Sequence, residues 1–275
     1  MVTNRGALIG DWAGYMRRRG LSAGTIDVRL RLVQRWLVAF DEPWLVSADD
    51  VDRWLDSHDQ WLVASTRYSA VSHLHAFYVW AIRAGHTAID PTVTVERPRL
   101  QQRLPRPIHP ADLAVAVAVA GPAMRAALWL MATSGLRCCE VARLRWDDVH
   151  DGTARVMGKG SKERVVPLHP SSIDALDLLD RSSVHVFAGW QSSLAHHPGL
   201  NVSRRVGDHL HALGISATPH MLRHYAGTKA WRVSGDLRKV QKLLGHASPA
   251  TTAMYVLLDV DDLIDVVNAI EIPAA

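Results

Sequence analysis

A stretch of five prolines between Pro91 and Pro110 constrains the architecture of this chain more than any other feature. Proline lacks a backbone N–H and restricts the residue before it, so this stretch should be extended and should interrupt any helix. The sequence therefore predicts an N-terminal domain at residues 1–95, a basic proline-rich linker at 96–110 and a C-terminal domain at 111–275. The linker arginines are either solvated or laid along a phosphate backbone, and both interpretations stay open: Arg97, Arg99, Arg103 and Arg106.

The first domain has the apolar periodicity of a small all-helical module. After Ser22, apolar residues recur every three or four positions at Ile26, Leu30, Val33, Leu37 and Phe40. A second helix is predicted after Ser65, with a stop near Gly85 and an apolar face of Val71, Leu74, Phe77, Tyr78 and Ala81. Trp54 and Trp80, like Trp129 further along, are interpreted as core residues.

The second domain is predicted to be mostly helical with one β-hairpin. Helices are expected at Met124 to Thr133 and Arg137 to Trp146. Residues 154–157 and 164–168 carry β-branched side chains on either side of a glycine-containing turn, which favours a hairpin. Residues 113–120 alternate alanine and valine as a strand would, yet we interpret them as helix. A final amphipathic helix is predicted around Leu263, Val267 and Ile270.

Composition excludes several classes of protein. Apolar residues make up 48% and charged residues 21% of the 275-residue chain, a globular balance. The longest apolar run, 113–124, is broken by Pro122 and is too short to span a bilayer. No secretory leader opens the chain, and the adjacent Cys138 and Cys139 make no disulfide framework, so a cytoplasmic location without membrane partners is expected. No metal site is predicted, since these histidines lack acidic partners at suitable spacing: His196, His197, His209 and His211.

Two clusters of candidate functional residues lie in the first half of the second domain. Arg137 and Glu140 are three residues apart, so they share a helix face and the carboxylate can orient the guanidinium. Lys159 lies in the glycine-containing turn of the predicted hairpin, where it can supply a point charge to a site built elsewhere. By themselves, these residues are better explained as a surface ion pair and a solvated lysine.

Two further clusters follow nearer the C-terminus. Thr218 and Pro219 are typical of a helix start, which places His220 and Arg223 one turn apart beside free N–H groups that favour an anion. Gly245 should end one helix, and Ser248 with Pro249 should begin another. That places His246 in the turn and Tyr255 about two turns into the next helix. A lone tyrosine there would ordinarily be a core residue, but the order of all four clusters in one domain argues otherwise.

The motifs SGLRCCE, GKGSKER, TPHMLRH and LLGHASPATTAMY resemble those of the tyrosine recombinases, or phage integrases. The spacing of nine between His246 and Tyr255 is also typical of that family. In the first domain, SAGTIDVRLRLVQRWL and STRYSAVSHLHAF resemble the family's helical core DNA-binding domain. The resemblance implies the tyrosine recombinase fold, in an Xer-like or simple integrase form. Tyr225 departs from the pattern, because a small hydroxyl residue is more common there.

The resemblance implies a site-specific DNA recombinase that cuts and rejoins DNA through a 3′-phosphotyrosyl intermediate. Tyr255 would be the nucleophile, Arg137 and Arg223 would hold the phosphate, and Glu140 would support Arg137. Lys159 would be the general acid, His220 the general base, and His246 a hydrogen-bond donor to the phosphate. The family uses no metal or cofactor.

The implied DNA partner is a double-stranded site with inverted-repeat core sequences. The implied protein partners are further copies of the chain, or a related recombinase, which together form a tetramer on the DNA. This assembly would perform integration, excision or dimer resolution. Two other functions remain open: a type IB-like topoisomerase and a catalytically inert DNA-binding regulator. The candidate DNA contacts are basic residues from the helical module, the linker and the second domain: Arg29, Arg31, Arg35, Arg67, Arg97, Arg99, Arg103, Arg106, Lys162, Arg204 and Arg205.

Overall fold

The computed structural model describes residues 5–58, 63–100, 104–158, 163–191, 197–246 and 248–256. The chain divides into two compact units, Met1–Gln102 and Arg103–Ala275. The division lies within the proline-rich stretch, where missing N–H donors prevent a continuous hydrogen-bonded element. Several residues named above lie outside the described ranges: Arg103, Lys159, Lys162, His196, Leu263, Val267 and Ile270.

The described part of the first unit is helical: α1 (Arg5–Arg18), α2 (Ala23–Ala39), α3 (Ala48–Asp56) and α4 (Ala64–Arg83). Ser22 caps α2 by accepting the N–H of Thr25 at 3.2 Å, so the predicted start is confirmed. The predicted stop after α4 is also confirmed, since Gly85 follows the helix with a φ of 79° that favours glycine.

Aromatic side chains dominate the core of this unit. The predicted apolar face of α4 is fully buried, and Trp36 and Trp12 of the preceding helices pack into the same cluster. Trp36 Nε1 donates to Tyr78 Oη at 2.9 Å, and Tyr78 Oη donates to the Pro43 carbonyl at 2.6 Å. These bonds satisfy the polar groups that the aromatic rings carry into the core.

The second unit contains the remaining described α-helices and one 3-10 turn at Trp146–Asp148: α5 (Pro110–Ala118), α6 (Pro122–Thr133), α7 (Cys138–Arg143), α8 (Pro170–Asp177), α9 (Leu200–Ala212), α10 (Pro219–Ser234), α11 (Leu237–Leu244) and α12 (Pro249–Ala253). Residues 113–118 of the alanine–valine segment lie in α5, which confirms the helical interpretation. Leu113 and Ala116 are buried while Val115 and Val119 are exposed, so burial follows the helical period rather than the alternation. Among the described residues, no helix combines the length and apolar character needed to cross a bilayer.

A three-stranded antiparallel sheet lies between α7 and α8: β1 (Val149–His150), β2 (Thr153–Met157) and β3 (Glu163–Pro167). In the β2–β3 pair, Ala154 lies opposite Val166 and Val156 opposite Arg164. The predicted hairpin strands are therefore confirmed to within one residue. The sequence analysis missed β1, because two residues are too few to show a period of two.

Two predictions about helix extent are wrong. Helix α7 ends at Arg143 rather than Trp146, because Leu144 turns to an extended conformation and its carbonyl accepts the N–H of Val186 at 2.9 Å. Helix α12 ends at Ala253, so Tyr255 lies in the turn beyond the helix and not two turns into it.

We expect Tyr78→Phe to destabilise the first unit without changing its shape. The substitution leaves Trp36 Nε1 and the Pro43 carbonyl without their buried partner, so the free energy of unfolding should fall by about 1–3 kcal/mol. Urea denaturation followed by tryptophan fluorescence measures the change. Tyr15→Phe is the matched control, because that hydroxyl only meets the exposed Arg19 at 3.3 Å. An equal loss of unfolding free energy in Tyr78→Phe and Tyr15→Phe would show that the buried hydrogen bonds of Tyr78 add no stability.

Candidate active site

Three arginines converge on the C-terminal end of α11. Arg164 Nε, Arg223 Nη2 and Arg137 Nη2 donate to the carbonyl oxygens of residues 243–245, in that order, at 3.2, 2.5 and 3.4 Å. The last carbonyls of a helix lack partners within the helix and carry the negative end of its dipole. This helix end therefore gathers cations that come from three distant parts of the chain.

The carboxylate of Glu140 balances the charge of two of these arginines. Its side chain is 0% exposed, and it accepts the backbone N–H of Arg137 at 2.8 Å and Arg137 Nη1 at 2.9 Å. Arg164 donates to both carboxylate oxygens, at 2.7 and 2.9 Å. Burial by itself raises the pKa of Glu140, but the hydrogen bonds from Arg164 and Arg137 outweigh it and hold that pKa below its ordinary value.

A glycine turn after α6 brings Arg137 to this position. Gly135 has a φ of 65°, and a Cβ on it would lie 2.5 Å from Leu244 Cδ2. Both the conformation and the close approach to α11 require glycine. Arg137 then forms the N-cap of α7, where its backbone N–H is held by Glu140, and the Gly135 carbonyl accepts Arg223 Nη1.

Helix α10 presents several polar side chains on one face. It begins after Thr218 with Pro219 in its first turn, so the predicted helix start is confirmed. His220, Arg223 and His224 follow at spacings that place them on neighbouring positions of the helix surface. Arg223 is only 2% exposed, and burial, together with the nearby charge of Arg137, lowers the pKa of its guanidinium to about 10. Arg223 therefore stays charged at neutral pH.

Tyr255 packs into the space beside α10. The residue is 1% exposed, and its Oη lies 3.2 Å from His224 Nδ1. Its ring is parallel to that of His246, with an interplanar angle of 6° and centroids 6.3 Å apart. Burial raises the pKa of the Tyr255 phenol, while the charges of Arg223 and Arg137 act in the opposite direction. The hydroxyl is therefore protonated at neutral pH.

The three histidines of the site are neutral at pH 7. Desolvation is the largest cause, followed by nearby positive charges, and it lowers the pKa of His220 and takes those of His224 and His246 to about 4. His246 Nδ1 lies 3.0 Å from Thr252 Oγ1. A neutral imidazole keeps one nitrogen as an acceptor, so each of these rings can receive a proton or a hydrogen bond.

These side chains share one cleft of about 530 Å³ in the second unit. The cleft brings together five of the six candidate catalytic residues and one linker arginine: Arg137, His220, Arg223, His246, Tyr255 and Arg106. The sixth, Lys159, is outside the described residues. Glu140 lies behind Arg137, as the sequence spacing predicted. Tyr225 packs against the hydrophobic core, with the Lys229 ammonium 5.7 Å from its ring centre, and does not displace Arg223.

The candidate DNA-contact residues differ in their exposure and in their partners. Arg31 and Arg35 are exposed on α2, whereas Arg67 is half-buried and pairs with Asp52 and Asp56 at 2.6 and 2.5 Å. The guanidinium of Arg67 is therefore already paired with two carboxylates of the same unit. The remaining described candidates comprise half-buried Arg29 and exposed Arg97, Arg99, Arg106, Arg204 and Arg205.

The sequence analysis missed two residues of this site. His224 contacts the Tyr255 hydroxyl, and its position four residues after His220 was a usable signal for a shared helix face. Arg164 holds Glu140 from a strand 24 residues away, and no short-range spacing reports such a contact.

Cys138 and Cys139 are free thiols, and burial raises the pKa of Cys138 to about 11. Within the described ranges, no three His, Cys, Asp or Glu side chains are grouped to hold a metal ion.

Comparison with known proteins identifies the class to which this fold and cleft belong. The profile of the phage integrase family matches residues 118–261. The chain is 33% identical to a tyrosine recombinase XerC of Xylella fastidiosa, over 95% of this chain and 96% of that protein. It is 30% identical to the XerC of Haemophilus ducreyi, over 87% and 84% of the two chains. The chain therefore belongs to the phage integrase family.

Solved structures agree with this assignment at the level of the fold. A lambda integrase dimer bound to a COC′ core site has a TM-score of 0.71 at 19% identity, covering 91% of this chain and 76% of that one. The XerH recombinase bound to a palindromic difH substrate has a TM-score of 0.68 at 19% identity, covering 89% and 77%. The predicted mainly α tyrosine recombinase fold is thus confirmed, and this protein is a site-specific tyrosine recombinase. Neither the topoisomerase nor the inert regulator is favoured.

We expect Gly227→Ala to expel Tyr255 from its position beside α10. A Cβ at residue 227 would lie 2.4 Å from Tyr255 Cζ and 2.8 Å from its Oη, which is closer than packed atoms allow. Acetylation of Tyr255 by N-acetylimidazole, measured by peptide mass spectrometry, should increase several-fold. Gly207→Ala on α9 is the control, because no atom lies within 4 Å of its new Cβ. Unchanged labelling in Gly227→Ala would show that Tyr255 does not occupy this position in solution.

Proposed function

We propose that Tyr255 attacks a DNA phosphodiester held by Arg137 and Arg223, which forms a 3′-phosphotyrosyl intermediate. The observation that carries this proposal is the convergence of two arginines, neutral histidines and one tyrosine on a single cleft. In the attack, a bond forms between Tyr255 Oη and phosphorus, and the bond from phosphorus to the 5′ oxygen breaks. One phosphodiester replaces another of similar energy, so rejoining needs no external energy source.

The two arginines stabilise the charge that develops on the non-bridging oxygens. Each guanidinium has five N–H donors in a planar fork. Arg223 uses Nη1 and Nη2 on the carbonyls of Gly135 and Leu244, which leaves three of its five N–H groups for the phosphate. Fixed donors stabilise such charge more strongly than water does, because they need no reorientation during the reaction.

Two protons have to move during the reaction. Deprotonating a tyrosine of ordinary pKa at pH 7 costs about 4 kcal/mol, and burial of Tyr255 raises that cost. His220 is proposed as the general base, and its neutral form is suited to accept a proton. Lys159 is proposed as the general acid that protonates the departing 5′ oxygen. His246 would donate a hydrogen bond to the phosphate.

The proposed partner is double-stranded DNA with inverted-repeat core sites, bound by four copies of the chain or by this chain with a related recombinase. Related structures support this view: one shows a lambda integrase tetramer bound to a Holliday junction, and another shows XerH bound to a palindromic difH substrate. The exposed arginines proposed above would contact the DNA backbone, which attracts cations independently of sequence. Integration, excision and dimer resolution all use this chemistry.

Tyr255→Phe should abolish covalent attachment to DNA while binding persists. The substitution removes the attacking oxygen and keeps the ring that packs beside His246. The probe is a nicked duplex with the sequence that the protein selects from a random oligonucleotide pool, and denaturing electrophoresis measures the adduct. Tyr225→Phe is the control, because Tyr225 lies on α10 but packs against the core. An adduct formed by Tyr255→Phe would remove Tyr255 from this role.

We also expect the selected DNA to carry an inverted repeat and to assemble four protomers when two sites pair. DNase protection maps the repeat, and light scattering on the isolated complex measures its mass. A single asymmetric half-site bound by one protomer would contradict the proposed assembly.

A further inference from the structure

Arg164 joins three segments of the second unit through one side chain. It is the second residue of β3, and its side chain is 11% exposed. Nη1 and Nη2 each donate to one oxygen of Glu140, at 2.7 and 2.9 Å, and Nε donates to the Leu243 carbonyl at 3.2 Å. All three nitrogens are therefore engaged, by α7 on one side and by the end of α11 on the other.

The two arginines bind Glu140 in different ways. Arg164 forms a parallel two-bond pair with both carboxylate oxygens, the arrangement with the best charge-assisted geometry. The side chain of Arg137 uses only Nη1 on the carboxylate, and its side chain is 29% exposed at the cleft. Because Arg164 takes the larger share of the carboxylate, Arg137 keeps donors that face the cleft.

Arg164 also lies against the turn that carries His246. Gly245 has a φ of 62°, and a Cβ there would lie 2.9–3.1 Å from Arg164 Cδ, Nε and Cζ. The guanidinium thus packs directly against the backbone at the end of α11. Any displacement of Arg164 would free this turn as well as Glu140.

We propose that Arg164 is a positioning residue, which sets the orientation of Arg137 through Glu140 and holds the turn that presents His246. Arg164 does not line the cleft that holds Tyr255, although it lines an adjoining cavity with Arg137 and His246. In this role it acts through these two neighbours. The inference rests on the proposed function, in which Arg137 and His246 contact the scissile phosphate.

Removing the positive charge of Arg164 leaves the negative charge of Glu140 less well compensated. Among the described residues, the buried carboxyl would keep Arg137 as its only direct partner, and Arg137 would be drawn away from the cleft to cover both oxygens. The pKa of Glu140 would rise, because burial would lose its main opposing interaction. Other charged groups near Glu140 are Arg223 on α10 and the residues of an adjoining pocket: Arg143, Arg145, Asp148, Arg155 and Glu163.

The test compares Arg164→Gln with Arg155→Gln under single-turnover conditions with saturating nicked duplex. Arg155 lies on the neighbouring strand β2 and lines the adjoining pocket that also contains Glu140. Its side chain is 60% exposed and pairs with Glu163. We expect Arg164→Gln to slow adduct formation about 100-fold, the cost of a misplacement near 1 Å in a catalytic group. Arg155→Gln should keep the wild-type rate.

The pH profile separates positioning from simple damage to the fold. In the wild type, Glu140 stays ionised to low pH, whereas in Arg164→Gln it should protonate at higher pH, so activity should begin to fall at higher pH. Arg164→Lys keeps a positive charge but loses the paired N–H donors of the guanidinium. It should therefore restore the wild-type acid limb, the fall of the rate at low pH, while the rate at neutral pH stays reduced. Thermal unfolding and DNA affinity, measured on the same samples, report the folded fraction.

Each outcome decides between the alternatives. A wild-type rate in Arg164→Gln overturns the inference, as does a loss fully accounted for by the unfolded fraction with an unmoved acid limb. If Arg164→Gln behaves as the wild type while Tyr255→Phe forms no adduct, only the role of Arg164 fails. If Tyr255→Phe still forms the adduct, the proposed function itself fails.

Discussion

The C-terminal end of α11 and the buried carboxylate of Glu140 are the interactions on which the rest of the site depends. Three guanidinium groups repel one another, and burying them together costs free energy unless negative charge is present. The carbonyls of residues 243–245 supply the negative end of a helix dipole, and Glu140 supplies a full charge. Without these two acceptors, the cations of the cleft would not remain in place.

The same concentration of charge controls the other titratable groups. Desolvation and nearby arginines keep His220, His224 and His246 neutral, so the histidines add no further positive charge to the cleft. Burial keeps Tyr255 protonated before DNA arrives. The free protein therefore holds strong cations, neutral acceptors and an uncharged phenol, an arrangement suited to a phosphodiester anion.

Short-range spacing predicted much of this site. Arg137 with Glu140, and His220 with Arg223, are separated by three residues, so a helix or its first turn brings each pair together wherever it forms. Glycine at 245 correctly marked the end of a helix. The position of Tyr255 was harder to predict, because α12 is only five residues long and no glycine or proline marks its end.

Amino-acid order by itself determined the helical patterns, the hairpin, the helix starts and the set of motifs that identify the family. These features depend on neighbours within about four residues, so the local backbone decides them. Tertiary structure alone decided that Arg164 would neutralise Glu140, that three arginines would meet at one helix end, and that His224 would face the phenol. Such contacts join segments tens of residues apart, and the packing of the whole unit fixes them.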